Sequence, residues 1–319
     1  MKVLIVKTSS MGDVIHTFQA LEDARRARPD IVFDWCVEEP FAPLVRLHPA
    51  VAEIHTIAIR RWRKALFARR TWRDVAALRR TLREARYDLV LDAQGLMKSA
   101  LVAKMAGAPI AGFDRASVRE ALAARFYAKS FAVPRDLHAV ERTRRLFGQV
   151  LGYRPDLGGK EAGITAPAPP PGIDLSPPTA FLLHGTSRAD KKWATADWIE
   201  TARLLSAKGV RPATTFSNAD EEAVARAIAA AVPETLVIRK SPLDRIAAIL
   251  GHCAMVIGAD TGLTHLASAF GLPTVAIFLS TEPGLTGPVG PRSSTLLARP
   301  GKPVLPVDVV AEVERMAEK

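Results

Sequence analysis

Short apolar segments alternate with helix-like segments along most of this chain, and loops of small or hydroxyl residues separate them. Residues 2–7 are a predicted strand, residues 8–12 a loop and residues 13–28 a helix. The same order recurs at residues 87–106, where a strand, the turn Ala93-Gln94-Gly95 and a helix follow one another. This alternation is typical of parallel sheets with helices on both faces. It predicts an α/β fold.

A proline-rich stretch interrupts this order near the middle of the chain. Residues 155–178 contain seven of the 23 prolines, and neither a helix nor a central strand continues through such a density, because proline lacks a backbone N–H. We therefore expect a first domain over residues 1–160, a linker over 161–178 and a second, similar domain over 179–319. The predicted strands of the second domain are 179–183, 213–216, 236–238, 255–258 and 274–279, and its predicted helices are 195–208, 221–231, 243–250 and 263–270.

The positive charge is concentrated in the first half of the chain. The formal net charge is +11; residues 1–176 hold 29 Lys and Arg against 19 Asp and Glu, whereas residues 177–319 hold 15 against 14. Residues 60–86 alone hold 11 basic side chains, with only Asp74 and Glu84 as acids. Such a field attracts nucleic acid, an anionic membrane or an acidic substrate, although a solvated Arg-rich helix face has the same composition.

The remaining composition indicates an ordered protein in a reducing compartment. With 319 residues and 48% hydrophobic content, the chain can fill about two domain cores. Cys36 and Cys253 lie in no metal-ligand or redox spacing. No run of about 18 apolar residues is present, and the apolar run at residues 3–6 is too short for the core of a signal peptide. We therefore expect a cytoplasmic protein.

Missing motifs narrow the enzyme classes. The sequence contains no G-x-G-x-x-G, G-x-x-x-x-G-K-[ST], H-E-x-x-H or G-x-S-x-G motif, which disfavours ordinary dinucleotide-binding, P-loop, zincin and serine-hydrolase sites. It also contains no Asp-x-Asp pair, with which many glycosyltransferases hold a divalent cation. We expect a site that requires no metal and no cofactor, while assistance by a divalent cation stays open.

Three strand-to-helix loops carry the candidate chemistry, because ligands of open α/β sheets bind beyond the carboxyl ends of the strands. Loop 259–265 places small residues at a helix N-terminus, which suits a phosphate, although helix capping by Asp260 or Thr261 explains the same residues. Loop 184–193 contains hydroxyls and two lysines, as a diphosphate site or an ordinary charged surface loop would. Asp13 is either a base beside a bound substrate or a favourable charge at a helix start.

Six segments of the chain carry a more specific signature. They are residues 7–14 (KTSSMGDV), 33–39 (FDWCVEE), 59–65 (IRRWRKA), 92–100 (DAQGLMKSA), 138–143 (HAVERT) and 260–266 (DTGLTHL). Together they resemble the bacterial lipopolysaccharide heptosyltransferases. The D-T-G-x-[ST]-H segment marks the wider family, whereas the Arg-Arg-Trp-Arg-Lys and Asp-Ala-Gln-Gly segments are similar to the heptosyltransferase I type.

The resemblance implies a fold and a set of roles. The fold is of GT-B type, with two Rossmann-like domains facing a cleft, the acceptor on the first and ADP-heptose on the second, and a last helix near residues 307–318 that packs back on the first domain. Asp13 is the implied catalytic base. The implied donor-binding residues are Thr186, Ser187, Lys191, Glu221, Asp260, Thr261, Gly262, Leu263 and His265. The implied acceptor-binding residues are Arg60, Arg61, Arg63 and Arg119.

The function that the resemblance implies is inverting transfer of L-glycero-D-manno-heptose from ADP-heptose to a Kdo residue of Kdo2-lipid A. The protein would then be peripheral on the cytoplasmic face of the inner membrane, with ADP-heptose, Kdo2-lipid A and the anionic inner-membrane surface as partners and no nucleic acid; we expect a monomer. Three alternatives stay open. They are heptosyltransferase II or another nucleotide-sugar transferase, a non-enzymatic nucleotide-sugar sensor, and a nucleic-acid-binding protein that uses residues 60–86, with Trp62 and Trp72 for stacking.

Overall fold

The chain folds into two compact α/β units. The computed structural model describes residues 1–175, 177–186 and 188–318. Unit 1 comprises Met1–Gly159 and unit 2 comprises Lys160–Lys319. Each unit contains its own six-stranded sheet, so the α/β fold predicted from the alternating segments is confirmed.

The sheet of unit 1 has the strand order β3-β2-β1-β4-β5-β6, and all its pairings are parallel. Val3 to Val6 of the central strand are fully buried, as expected for a strand that helices cover on both faces. The strands are β1 (Lys2–Val6), β2 (Val32–Glu38), β3 (Val51–Ile57), β4 (Leu89–Asp92), β5 (Ile110–Phe113) and β6 (Lys129–Phe131). The α-helices are α1 (Met11–His16), α2 (Phe18–Ala27), α3 (Ala42–Val45), α4 (Ile59–Lys64), α5 (Arg69–Glu84), α6 (Met97–Met105) and α7 (Ala139–Leu151).

The sheet of unit 2 has the order β12-β11-β10-β7-β8-β9 and is also parallel. Counted from the first strand of each unit, both sheets have the order 3-2-1-4-5-6 of the Rossmann fold. The strands are β7 (Thr179–Leu183), β8 (Arg211–Thr215), β9 (Leu236–Ile238), β10 (Met255–Ala259), β11 (Thr274–Phe278) and β12 (Ser293–Leu297). The α-helices are α8 (Thr195–Ala207), α9 (Ala219–Ala231), α10 (Leu243–Leu250), α11 (Gly262–Ala269), α12 (Pro283–Thr286) and α13 (Pro306–Ala317).

Each sheet has one point where the strand order reverses, between β1 and β4 in unit 1 and between β7 and β10 in unit 2. Ligands of open α/β sheets bind at this switch point, because the loops after the two strands run to opposite faces and leave a crevice. The three loops singled out from the sequence follow β1, β7 and β10. All of them therefore lie at a switch point.

Helices α4 and α5 are attached to unit 1 through a shared apolar core. Trp62 of α4 and Leu78 and Leu82 of α5 are buried together with residues of β1 and β4. Burial of Trp62 removes it as a stacking platform, which the nucleic-acid alternative required. Trp72 of α5 is exposed instead.

Two predictions from the sequence need correction in unit 1. The helix predicted at residues 13–28 begins earlier, at Met11, and is divided at Thr17, whose hydroxyl donates to the carbonyl of Asp13 (2.9 Å); such bonds bend helices. The sequence also predicted no strand or helix between residues 107 and 178, yet β5, β6 and α7 lie there. The two strands span only four and three residues, which is too short for a periodic pattern to show.

The predicted linker has no helix or strand between residues 161 and 175, and it packs on unit 2. His252 Nε2 donates to the carbonyl of Pro167 (2.9 Å), and Arg211 Nη1 donates to that of Asp174 (3.3 Å). Helix α13 packs against α8, β10, β11 and β12 of its own unit, and its return to the first domain stays a prediction. Within the described ranges, no helix combines the length and apolar character needed to cross a bilayer.

Candidate active site

Asp13 lies at the switch point of unit 1, in the first turn of α1. Its Oδ2 accepts hydrogen bonds from the backbone N–H (2.9 Å) and the hydroxyl (3.1 Å) of Ser10. Lys7 Nζ lies 3.6 Å from its Oδ1, and Arg119 Nη1 lies 3.6 Å from its Oδ2. The Asp13 side chain remains 25% exposed, so the carboxylate is held firmly and is still accessible to a substrate.

The charges around Asp13 keep it ionised. Burial raises the pKa of Asp13, but the charge of Lys7, the N–H of Ser10 and the charge of Arg119 outweigh that effect, and the pKa falls to about 2. Burial lowers the pKa of Lys7, while Asp13 opposes that shift. At neutral pH Asp13 is therefore a carboxylate next to a buried amine.

The loop after β4 fixes the loop that leads to Asp13. Gln94 Oε1 accepts hydrogen bonds from the backbone N–H groups of Thr8 (3.0 Å) and Ser9 (3.2 Å). The Lys98 ammonium donates to the hydroxyl of Ser9 (3.0 Å). The Gln94 side chain thus joins the two loops of the switch point, and Lys98 of α6 adds a bond between side chains.

Buried Asp92 holds the β4 loop in its turn. Its carboxylate accepts hydrogen bonds from the backbone N–H groups of Gln94 (3.0 Å) and Gly95 (3.1 Å). The hydroxyls of Ser99 (2.9 Å) and Tyr127 (2.8 Å) also donate to it. Burial raises the pKa of Asp92 although these bonds oppose the shift. With no exposed surface, Asp92 is a structural group of the site.

Helix α4, which carries three of the predicted acceptor-binding arginines, begins beside this switch point. The buried Glu38 carboxylate accepts the backbone N–H groups of Ile59 and Arg60 at the start of that helix. Burial raises the pKa of Glu38, although the charges of Arg60 and Lys98 face it and lower it. The Arg60 guanidinium also lies over the Phe41 ring, 5.9 Å from its centroid.

The other two arginines of α4 differ from each other. Arg61 forms ion pairs with Glu39 (3.0 Å) and Asp74 (2.9 Å), so its charge is already compensated. Arg63 is exposed and has no ion pair among the described residues. Of the predicted acceptor-binding residues, the structure brings only Arg119 into direct contact with Asp13 within its described part.

Asp260 lies at the switch point of unit 2, directly after β10. Its Oδ2 accepts hydrogen bonds from the Lys191 ammonium and the Thr281 hydroxyl (2.9 Å). His265 Nε2 lies 3.9 Å from its Oδ1. Burial raises the pKa of Asp260, but the bonds with His265, Lys191 and Thr281 outweigh burial and hold the pKa well below its ordinary range. The structure thus brings together three of the predicted donor-binding residues.

The loop after β7 approaches the start of α9. A Cβ added at Gly185 would lie 3.0 Å from the Glu221 carboxyl group, and that carboxylate accepts hydrogen bonds from the N–H and hydroxyl of Ser217 (both 2.7 Å). Thr186 Oγ1 is buried and has no hydrogen-bond partner among the described residues. A buried polar atom of this kind is normally satisfied, so a ligand atom is the expected partner. Ser187 lies outside the described residues.

Thr261, Gly262 and Leu263 form the N-terminus of α11. Thr261 is the N-cap residue with extended backbone, and within the described residues its side chain makes no capping hydrogen bond. The first backbone N–H groups of the helix have no partner inside it and carry the positive end of the helix dipole. Gly258 allows α11 to approach β10, because an added Cβ would lie 2.1 Å from Thr264 Oγ1. A phosphate is the ligand that suits such a terminus.

The two switch points differ in what they offer a ligand. Unit 1 presents an ionised carboxylate that can accept a proton, and unit 2 presents an ammonium, a free hydroxyl and a helix N-terminus that can bind an anion. In the part of the chain that the structure describes, no group of three or more His, Cys, Asp or Glu side chains could hold a metal ion.

Several residues of the site were not predicted from the sequence. Lys7 follows the buried apolar strand β1 and stands just before a candidate loop. A charged residue at the end of a buried strand could have identified it as a site residue. Gln94 and Thr281 gave no local signal, because their partners Thr8 and Asp260 lie 86 and 21 residues away.

Comparison with known proteins places this arrangement in a family. Residues 75–304 match glycosyltransferase family 9 (heptosyltransferase). The chain is 43% identical to lipopolysaccharide heptosyltransferase 1 of Pseudomonas aeruginosa over 293 residues, which are 91% of this chain and 82% of that protein. It is also similar to the structure of E. coli heptosyltransferase WaaC with ADP, with a TM-score of 0.92 and 37% identity over 99% of this chain and 100% of that one. WaaC with ADP-2-deoxy-2-fluoro heptose gives a TM-score of 0.88 and 36% identity over 99% of both chains.

Two Rossmann-like units, each with a parallel six-stranded sheet, and the likeness to heptosyltransferase WaaC define a glycosyltransferase of the GT-B fold. The class predicted from the sequence is confirmed. The chain belongs to glycosyltransferase family 9, the heptosyltransferases.

Proposed function

We propose that this protein transfers L-glycero-D-manno-heptose from ADP-heptose to a Kdo residue of Kdo2-lipid A, with inversion at the anomeric carbon. The observation that carries the proposal is the Asp13 carboxylate, which is ionised and fixed at the switch point of unit 1. The 43% identity to a lipopolysaccharide heptosyltransferase 1 supports the choice of donor and acceptor, as does the likeness to a structure with an ADP-heptose analogue.

Asp13 acts as the general base on the acceptor. The Kdo hydroxyl oxygen attacks the anomeric carbon of the heptose, and the proton of that hydroxyl is finally taken up by an Asp13 oxygen. The carboxylate is a weak base, because its pKa is about 2. Proton transfer therefore follows O–C bond formation, which makes the hydroxyl strongly acidic. Lys7 and Ser10 hold the carboxylate in one orientation for this step.

Unit 2 stabilises the leaving group. When the bond between the anomeric carbon and the β-phosphate oxygen breaks, ADP takes the electron pair and its diphosphate gains negative charge. Lys191, the Thr186 hydroxyl and the N-terminus of α11 supply fixed positive charge and donors where that charge develops. Asp260 orients the Lys191 ammonium, and Glu221 contacts the ribose or adenosine.

Unit 1 attracts the acidic acceptor. Kdo2-lipid A carries carboxylates and phosphates, and the first half of the chain holds the excess of basic residues. Arg60, Arg63 and Arg119 are the residues that we assign to acceptor binding, with Arg61 stabilising α4 through its carboxylate partners. Because this acceptor resides in a membrane, the protein works as a peripheral protein on the cytoplasmic face of the inner membrane.

A donor and acceptor screen tests the proposal. Purified protein is incubated with Kdo2-lipid A and ADP-heptose, UDP-glucose or GDP-mannose, and the product is identified by mass spectrometry. We expect addition of one heptose from ADP-heptose alone. A parallel reaction offers an acceptor that already carries the first heptose; transfer to that acceptor in preference to Kdo2-lipid A would establish the heptosyltransferase II alternative and overturn the proposed acceptor.

A further inference from the structure

Three large apolar side chains are exposed together on unit 1. Leu66 is 51% exposed, Phe67 102% and Trp72 60%. They lie in the turn between α4 and α5 and in the first turn of α5. Single exposed apolar side chains are common on protein surfaces, but a contiguous group of them marks an interaction surface.

Hydrogen bonds hold this turn in place. The indole N–H of Trp72 donates to the carbonyl of Leu66 (2.8 Å), and the hydroxyl of Thr71 donates to that of Ala65 (2.8 Å). The backbone N–H of Ala68 also donates to the Ala65 carbonyl (3.1 Å). The fold therefore presents these apolar side chains to solvent with most of the turn's polar groups satisfied.

Positive charge surrounds the apolar group. Lys64, Arg69, Arg70 and Arg73 are exposed, and none forms an ion pair with another described residue. This contrasts with Arg61 on the preceding helix, which has two carboxylate partners. Arg70 is close enough to Asp74 to help lower the pKa of that carboxyl, but all four cations remain exposed to an external anion.

The solvent-facing side of α5 also combines apolar and basic side chains. A groove of about 530 Å³ runs along it, with Trp72, Val75 and Ala76 at one end, and with Arg79, Arg80, Arg83 and a single carboxylate, Glu84, further along. The opposite face of α5 is buried in unit 1. The helix is thus fixed on one side and presents apolar and cationic groups on the other.

We propose that Leu66, Phe67 and Trp72, with Lys64, Arg69, Arg70 and Arg73 around them, dock on an anionic lipid bilayer. We call these seven residues the docking surface. Its apolar side chains enter the boundary between headgroups and acyl chains, and its cations pair with lipid phosphates. A bilayer is favoured over nucleic acid because the exposed Leu66 offers a base neither a hydrogen bond nor an aromatic face for stacking. The choice of the membrane rests on the proposed function, whose acceptor resides in the inner membrane. Docking in this way would place α4 close to that lipid acceptor.

Trp72 offers a direct readout of docking. The other four tryptophans, Trp35, Trp62, Trp193 and Trp198, are all buried. We expect vesicles of phosphatidylglycerol with brominated acyl chains to quench Trp72 fluorescence in the full-length protein, whereas brominated phosphatidylcholine vesicles quench it far less. The Trp72→Phe variant, which removes the exposed indole, should lose this quenching. Equal quenching of wild type and Trp72→Phe would overturn the proposed insertion.

Vesicle flotation tests the apolar and basic parts separately. The double variant Leu66→Ser/Phe67→Ser should bind phosphatidylglycerol vesicles about tenfold or more weakly than wild type, because two large side chains no longer leave water. Arg69→Ser/Arg70→Ser should weaken binding about fivefold or more, given the attraction of each basic residue to an anionic surface. The control Val307→Ser removes an exposed apolar side chain of unit 2, 59% exposed, and should bind as wild type does. Binding that depends on the arginines alone, or RNA binding tighter than vesicle binding, would overturn the proposal.

The vesicle-binding test is independent of the test of heptosyl transfer. Vesicle binding is measured without donor or acceptor, so it can fail or succeed whatever reaction the protein catalyses. Turnover of Leu66→Ser/Phe67→Ser on a deacylated, water-soluble acceptor should equal that of wild type. A parallel loss of turnover on that acceptor would show that the variant disturbs the site and would contradict a role limited to docking.

Discussion

Asp13 differs from an ordinary aspartate at a helix start in the charges that face it. Ser10, the N-cap residue, donates both its backbone N–H and its hydroxyl to the Asp13 carboxylate, and the first of these bonds is ordinary for a carboxylate at the third position of a helix. Lys7 and Arg119 add two cations within 3.6 Å, which capping does not require. The pair of Asp13 with a buried lysine therefore supports the catalytic role that we propose for this carboxylate.

Lys7 should control the protonation of Asp13. With the pKa of Asp13 at about 2, kcat of the wild type should show no acidic limb from this residue above about pH 3. Lys7→Met removes the charge while burial remains, so the pKa of Asp13 should rise and an acidic limb should move into the measurable range. The control Lys104→Met makes the same change on α6, where the lysine lies over the Phe126 ring. Identical pH profiles of all three proteins would contradict the role of Lys7.

Lys191 should act on the donor through its charge. Lys191→Ala should lower kcat/KM for ADP-heptose about 10- to 100-fold, as loss of a charge-assisted hydrogen bond of about 1.5–3 kcal/mol requires. Its neighbour Lys192 is half exposed and lies 3.9 Å from Asp220, so Lys192→Ala is the matched control and should change little. Steady-state kinetics in ADP-heptose compare the two. Equal losses in both variants would mean that Lys191 does not contact the diphosphate.

At the scale of elements, the loops after β1 and β4 hold each other in position through Gln94. Gln94→Leu leaves two buried backbone N–H groups without an acceptor, so the loop that leads to Asp13 should lose its position and kcat should fall. Gln94→Glu keeps an acceptor oxygen and should retain most of the turnover. The KM for ADP-heptose should stay unchanged in both, since the donor site belongs to unit 2. Similar kinetics for the two variants would rule out this positioning role.

Most regular elements of unit 2 were predictable because their sequence signals are local, whereas β12 and α12 were not predicted. Strands 179–183 and 236–238 and helix 243–250 are confirmed to the residue, since glycine, proline or polar residues flank each apolar run. The division of the first helix at Thr17 was not predictable, because it depends on one side-chain bond to the backbone. The short strands β5 and β6 owe their conformation to pairing with β4 and to each other.

The candidate site was predictable only as far as its loops. Parallel strands carry their carboxyl ends to one edge of a sheet, so the position of Asp13 and Asp260 after β1 and β10 followed from the alternation of elements. The contacts that keep Asp13 and Asp260 ionised could not be predicted from the sequence. Lys191 was expected at a diphosphate, and the structure shows it bonded to Asp260; Arg61 was expected at an acceptor, and it is paired with Glu39.

At the scale of the whole molecule, the uneven charge predicts how each substrate responds to salt. Arg60→Gln/Arg63→Gln should raise the KM for the lipid acceptor, and more strongly at low ionic strength, where charges are less screened. Arg61→Gln should have the smaller effect, because carboxylates already compensate that guanidinium. The KM for ADP-heptose should not change. An effect on the donor alone, or an effect of Arg61 equal to that of the pair, would contradict the assignment of the acceptor to unit 1.

The central claim is that Asp13 accepts the proton of the acceptor hydroxyl, and the Asp13→Asn variant tests it most directly. Asparagine keeps the size of the side chain, and its Oδ1 can still accept the hydrogen bonds that Ser10 donates, but it cannot take a proton. The measurement is kcat for heptose transfer to Kdo2-lipid A, with the melting temperature and ADP-heptose affinity of the same preparation. We predict a loss of about 10²- to 10⁴-fold in kcat, with donor affinity close to wild type and a lower melting temperature, because buried Lys7 loses its charged partner. A stable variant that binds ADP-heptose and keeps most of its turnover would contradict the claim.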